Sequence, residues 1–408
     1  MSFDLKYSFL IISFSLAIIP FCMGQTERLT VDTLKLVDSE REIENCISFT
    51  TSRSNFEYIK AITGQKVSVE TGFLIINGDT IEPEEIGTRG QSTLYFIRKS
   101  FSFSLKSEAV FSHGKKRESL KKFNLISLSM DMDYCCNRLA FEMMEELKLF
   151  GLFYSFSELR INGESEGLYM VIERPEDWAI KKKDSPLLIN RGYDNSIDKL
   201  KTGKETGNDE IRTYRGYFAE IYRLVKKYDG EEFYAILSKM LNTDEYMKWL
   251  AFNFFVRNGD YTDEVYFYID PVTKKFNIIP WDYDDLFSTF PHEGNAASRK
   301  DMGDKLFFSM EDALDRKIVN DPFLYNKYLI QLREVLNQLT EEKLKKIFEK
   351  TYAELFPYYS NNEIISQSQY DLHKNASLVQ LRKDLNRIYF QLLVYRQIYL
   401  NYLEQKIQ

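Results

Sequence analysis

Two acidic clusters separated by a single hairpin restrict this chain more than any other pattern in it. Asn258-Gly259-Asp260-Tyr261-Thr262-Asp263-Glu264 runs into the apolar segment Val265–Ile269. Asp270-Pro271-Val272-Thr273 turns the chain, Phe276–Pro280 returns it, and Trp281-Asp282-Tyr283-Asp284-Asp285 follows. Carboxylates at the mouth of an apolar hairpin are costly to desolvate unless a cation or hydrogen-bond donors compensate. Asp282 and Asp284 alternate with large aromatics, so an extended backbone would point both to one side. The two clusters can then converge on one divalent ion. A solvated acidic surface is the competing reading of the same letters.

Composition narrows the choice of ion and partner. His113, His292 and His373 are the three histidines, too few and too scattered for a His-rich zinc centre, so a metal here should be a hard ion on carboxylate oxygens. A net charge of −7 argues against a general nucleic-acid binder, which needs a basic face. With 27 Tyr and 31 Phe in 408 residues, the chain has bulk for a large core and is not disordered.

Residues 1–24 have the form of a secretory signal peptide. Lys6 precedes an apolar run from Phe9 to Phe21, and Cys22-Met23-Gly24 supplies a small residue for cleavage before Gln25. Cleavage after Gly24 is expected, with lipidation at Cys22 as the lesser alternative. The run is too short for a comfortable membrane span, and the mature chain has no transmembrane stretch. The expected localisation is therefore export to an extracellular, periplasmic or cell-surface site. Cys46 and the adjacent pair Cys135-Cys136 would remain. Neighbouring cysteines bridge each other only with strain, so three free thiols are expected.

Along the chain, residues 25–80 read as short β segments with polar turns, ending at Asn77-Gly78-Asp79. Alternation predicts a half-buried strand from Leu94 to Leu105, and apolar residues at three- and four-residue steps predict a helix over 133–150. Strands Phe156–Ile161 and Gly167–Glu173 meet at Asn162-Gly163. The stretch from Asp194 to Asp209 looks like an exposed insertion. Residues 214–256 and the last hundred are helical in pattern, the final helix packing on its own domain rather than in a coiled coil.

Gly163-Glu164-Ser165-Glu166-Gly167 matches the G-x-S-x-G string of serine hydrolases, but it lies between two strands where that chemistry needs a strand-to-helix turn. A hairpin is the preferred reading. There is no Walker loop and no H-R-D-L or D-F-G string.

Five blocks in order nevertheless resemble the CotH (spore coat protein H) kinase-like family. They are Arg89-Gly90-Gln91-Ser92-Thr93 followed by Lys99-Ser100-Phe101; Phe123-Asn124-Leu125 with Asp133 and Leu139-Ala140-Phe141; Ile161-Asn162-Gly163 with Gly167-Leu168-Tyr169 and Glu173; Asn258-Gly259-Asp260; and Ile279-Pro280-Trp281-Asp282-Tyr283-Asp284. The resemblance implies an α+β, atypical protein-kinase-like domain over 81–290, with an N-terminal β segment (25–80) and a C-terminal helical extension (291–408).

It also implies roles. Arg89, Gly90, Gln91, Ser92 and Thr93 would form the phosphate loop, their N–H groups and hydroxyls acting as anion donors. Lys99 would meet the ATP phosphates, with Lys106 as fallback and Glu142 as ion-pair partner, and Glu173 would lie near the nucleotide. Asp260 would be the catalytic aspartate, and Asp282 and Asp284 the ligands of Mg²⁺ or Mn²⁺. Phosphoryl transfer asks little covalent work of a protein, so such a set suffices. The chain departs from the family where Asp263-Glu264 replace an expected Asn, at Cys136, and at Leu188-Ile189-Asn190-Arg191 in place of L-Y-K. The expected function is an exported kinase acting on Ser or Thr of a secreted or surface protein. The alternative is a catalytically inert, kinase-like binding or structural protein.

Overall fold

Alternating apolar residues build the strands. In β5 (Ser100–His113) the side chains of Phe101, Phe103 and Leu105 are buried, and the Phe103 ring stacks on Phe123 of β6 (Lys116–Ile126) at 4.9 Å. The structure, a computed structural model, describes residues 33–193, 196–288 and 305–406. The expected signal peptide with Cys22, and His292, lie outside the described residues. By its contacts the chain separates into Met1–Thr33 and Leu34–Gln408, and the elements all belong to the second.

β5 and β6 sit in an eight-stranded sheet ordered β3-β2-β1-β7-β8-β6-β5-β4. The remaining strands are β1 Cys46–Phe49, β2 Leu74–Ile76, β3 Asp79–Ile81, β4 Pro83–Arg89, β7 Tyr154–Ile161 and β8 Glu164–Glu173. Neighbours run antiparallel except for β1 and β7, which are parallel. A second, antiparallel sheet has the order β10-β9-β11-β12, from Ile197–Thr202, Leu187–Arg191, Val265–Ile269 and Phe276–Pro280. The molecule is thus mixed α and β.

Three expectations need correction. Residues 25–80 are not only β: Arg53–Ala61 is a helix (α1), capped by Ser52, whose hydroxyl accepts from Asn55 N. The strands of this segment, β1, β2 and β3, lie in the large sheet. The supposed insertion from Asp194 to Asp209 contributes β10, an edge strand whose alternation of charged and apolar letters reads as a polar loop. The strand predicted from Leu94 begins at Ser100, because Ser92–Tyr95 closes a 3₁₀ turn first.

The longer helices that follow α1 are α2 Cys136–Glu146, α3 Asn208–Val225, α4 Gly230–Leu237, α5 Thr243–Val256, α6 Ala313–Asn320, α7 Pro322–Gln338, α8 Glu341–Tyr359 and α9 Leu378–Lys406. α5 is buried around nearly its whole circumference, as expected of a central helix. α9 packs on α5, α7 and α8, with Tyr399 against Phe254 at 4.8 Å. Buried ion pairs join the C-terminal helical region to the large sheet and α2. Arg98 meets Asp371, and Arg138 meets Glu354 at 2.6 Å. Among the described residues, no helix is long and apolar enough to cross a membrane.

Candidate active site

α5 stops at Arg257, which turns left-handed at φ 53°, and so delivers the first acidic cluster. Asn258 Oδ1 accepts from the Asp260 amide at 3.1 Å, closing a tight side-chain turn. The Gly259 amide donates to the Asp285 carbonyl at 2.8 Å, and the Trp281 amide donates to the Glu264 carbonyl at 3.0 Å. A Cβ at position 259 would lie 2.0 Å from Asp285 Oδ2, so a side chain here would displace the Asp285 carboxylate. The two clusters converge, as their spacing on either side of β11 and β12 suggested.

They do so without the extended backbone expected of the second. β12 ends at Pro280, and Asp282 turns into the left-handed region at φ 47°, as Phe287 does at 60°. Strained turns of this kind persist where surrounding contacts over-determine them. Tyr283 supplies those contacts. Its amide donates to Asn137 Oδ1 at 2.9 Å, and its hydroxyl accepts from Trp249 Nε1 at 3.0 Å. Asn137 is itself held by Asp131, which caps α2 by accepting from the Cys136 and Asn137 amides at 2.7 and 2.9 Å. Burial pushes the Asp131 carboxyl up to about 7 despite those donors. Sequence reasoning missed Asp131 and Asn137: Asp131 lies five residues ahead of Cys136, outside the usual position of a cap signal.

The converged carboxylates press on one another. Burial, then the charges of Asp282, Asp263 and Asp260, hold Glu264 well above the usual carboxylate range. Burial and Asp282 do the same to Asp284. Asp282 is pushed up to about 6, by burial first, with the Arg89 guanidinium pulling the other way and Asp260 and Asp263 adding to the rise. Asp263 is raised by burial and steadied by a bond from Tyr193, yet its Oδ1 has no hydrogen-bond partner. The Arg89 guanidinium faces this group, its Cζ lying 5.9 Å from the Trp281 ring.

Thr93 Oγ1 donates to the Arg89 carbonyl at 3.3 Å, closing the Arg89–Thr93 loop over Gly90, where a Cβ would sit 2.0 Å from that oxygen. Gln91 and Ser92 are exposed on the same loop. Lys99 is buried with its Nζ on the carbonyls of Leu94 and Phe96 at 2.8 and 2.5 Å, and burial lowers its pKa. Glu142 does not pair with it: Arg138 at 2.7 Å and Lys350 at 2.7 Å take that carboxylate. Lys106 pairs with Glu82 at the surface. Glu173 accepts from Phe153 N and from Lys182, at 3.2 and 2.8 Å. Ser165 lies within β8, buried, with its Oγ accepting from the Gly167 amide at 3.2 Å. It sits on no strand-to-helix turn, so the hairpin reading holds, although the site is buried rather than on the surface.

Among the described residues, no three His, Cys, Asp or Glu side chains already stand close enough to hold a metal ion. The donor chemistry nonetheless fits a hard divalent cation. Every donor is a carboxylate oxygen, one of them lacks a partner, and each raises its neighbours.

The CotH kinase protein family matches residues 86–383. Inner spore coat protein H of Bacillus subtilis (strain 168) is 22% identical over 303 residues, spanning 68% of this chain and 80% of that protein. Two solved structures overlap more loosely. One is a Helicobacter pylori proinflammatory kinase, CtkA, with 11% identity over 70% of this chain and 94% of that one and a TM-score of 0.28. The other is a HipA, HipB and operator DNA complex from Shewanella oneidensis MR-1, with 10% identity over 99% and 72% and a TM-score of 0.33. Overlaps that slight decide nothing about the fold, whereas the family match spans more than half of the sequence. The chain belongs to the CotH kinase protein family.

Proposed function

We propose that this chain is an exported kinase that transfers the γ-phosphate of ATP to a Ser or Thr hydroxyl of a secreted or cell-surface protein. One observation carries the reading: two separate acidic segments are stitched into one half-buried carboxylate group that faces the Arg89 guanidinium. So many mutually repelling acids are costly to assemble unless a cation and an anionic ligand share the site.

In this reading Asp260 orients the acceptor hydroxyl and takes its proton as the oxygen attacks the γ-phosphorus and the bond to the β-phosphate oxygen breaks. Arg89 and the N–H groups of its loop meet the phosphates from the opposite side. Asp282 and Asp284, with Glu264 beside them, would hold Mg²⁺ or Mn²⁺, which would neutralise phosphate charge. Tyr283 and Asn137 fix the backbone that presents these acids.

The inert scaffold is the second reading, and Lys99 favours it, since its ammonium is occupied by backbone carbonyls. Incubation of the mature chain with γ-labelled ATP and Mg²⁺ or Mn²⁺ separates the two. Label appearing on protein, and absent in Asp260→Asn, supports the kinase. ATP binding without transfer in any metal supports the scaffold.

A further inference from the structure

The loop that carries Asp260, Asp263 and Glu264 is held from behind by two adjacent residues of β9. Arg191, fully buried, donates from Nε to the Thr262 carbonyl at 2.6 Å. Asn190 Nδ2 donates to the carbonyls of Asp263 at 3.2 Å and Val265 at 3.4 Å. With the Trp281 amide on the Glu264 carbonyl, four successive carbonyls, 262 to 265, are drawn back into the protein.

A buried guanidinium is costly unless its charge is balanced, and here the balance comes from α6 and the residue that caps it. Arg191 stands 3.6 Å from Asp312 and 3.9 Å from Asp315. Its Nη1 donates to the Tyr246 hydroxyl at 2.6 Å, and that hydroxyl donates to Asp315 at 2.6 Å. The Tyr222 hydroxyl donates to Asp312 at 3.2 Å. Such an outlay for one backbone carbonyl is poorly explained by packing alone. The carboxylates on the loop repel one another and those of Asp282 and Asp284, which tends to spread the loop outward. Bonds that pull its carbonyls inward oppose that tendency.

Building on the kinase reading, we propose that Asn190 and Arg191 are positioning residues that hold the acid loop closed against its own charge repulsion. They thereby keep Asp260 and Asp263 beside Asp282. Neither touches the reacting atoms; both act through the loop backbone, where a misplacement of about 1 Å can cost roughly 10²-fold in rate.

The test uses Asn190→Leu, which keeps the volume and deletes the donors, together with Arg191→Lys. Amide hydrogen exchange over 260–264 should rise about tenfold in Asn190→Leu while the rest of the chain stays protected. A second change, Asp263→Asn, should bring it back toward wild type by removing one repelling charge. In ATP turnover, Asn190→Leu should lose roughly 10- to 100-fold in kcat with KM for ATP little changed. Unaltered loop exchange in a folded Asn190→Leu overturns the proposal, and so does a rise that Asp263→Asn does not reverse. If Arg191→Lys fails to fold, Asn190→Leu decides alone. If the wild type turns over no ATP, the kinase reading falls, while the exchange data still decide whether the brace exists.

Discussion

The Gly259 amide donates to the Asp285 carbonyl at 2.8 Å, and through that bond the loop leaving α5 is stitched to the segment leaving β12. A side chain at Gly259 would meet the carboxylate of the residue whose carbonyl its amide binds. The crossing lies between the segments that carry Asp260 and Asp282, whose carboxyl Asp260 raises.

Gly259→Ala should accordingly force the two segments apart. Its methyl would lie 2.0 Å from Asp285 Oδ2 and 2.8 Å from Cγ, and overpacking of this kind costs about 1–3 kcal/mol. Asp285→Ala in the same chain removes the obstacle and should recover much of that loss, even though it also deletes the Ser288 bond to Asp285. Denaturant midpoints of the wild type, both single variants and the double variant measure the coupling. Strictly additive losses would mean that this crossing is not what positions the loops.

Asp282→Asn should separate stability from binding. Asparagine tolerates the left-handed backbone at this position, φ 47°, so the fold should survive. Removing one member of a mutually repelling group should leave the melting temperature unchanged or raise it near neutral pH. Metal-dependent ATP binding, followed by calorimetry with ATP and Mg²⁺, should be lost or severely weakened. Unchanged affinity in a folded variant would remove Asp282 from the proposed metal ligands.

What was legible in the sequence and what was not divides along the range of the interaction. β11 and β12 fall on Val265–Ile269 and Phe276–Pro280, because short apolar runs around an Asp-Pro turn are local signals. α1 was missed since Ile59 is its sole buried residue, leaving no apolar stripe to read. Asp260, Asp282 and Asp284 stood out as carboxylates beside an apolar hairpin. Asn137, Asn190 and Arg191 did not, because each reaches the site across a gap in sequence of 70 residues or more, 146 in the case of Asn137 and Tyr283. The left-handed turn at Asp282 was equally hidden: its alternation with aromatics looks like a strand, and only tertiary bonds to Tyr283 bend it. Lys99 is a letter in the right block whose ammonium rests on acceptors in its own loop, contacts that the sequence pattern does not announce.

A pH dependence of stability should trace to Asp133, outside the carboxylate group described above. Burial, then its hydrogen bond and charge contact with Asp384, push this carboxyl from the ordinary 3.8 up to about 7, with Arg387 opposing. The folded chain thus holds a proton that the unfolded chain releases. The stabilisation from this group is complete below 3.8, falls as pH rises, and is gone above about 7. Asp133→Asn should flatten that slope and gain on the wild type above pH 7, by at most about 4 kcal/mol at 1.36 kcal/mol per pH unit. Urea unfolding of both proteins at a series of pH values gives the comparison, and parallel curves would refute the assignment.

Asp260 distinguishes a working kinase from a scaffold. It follows Asn258-Gly259 on a turn closed by its own amide at 3.1 Å from Asn258 Oδ1, so its position is set by backbone and not by the ligand. Asp260→Asn preserves size and turn and removes only the capacity to take a proton. ATP and metal should still bind with near wild-type affinity, because Arg89, Asp282 and Asp284 are untouched. Phosphoryl transfer should fall by roughly 10²–10⁴, the usual range for loss of a general base. The readouts are single-turnover transfer of labelled phosphate and calorimetric ATP affinity on the same preparations. Equal transfer by both proteins would move the catalytic role elsewhere in the cluster, with Asp263 and Glu264 the next carboxylates to replace. A parallel fall in affinity and transfer would instead make Asp260 part of the binding site.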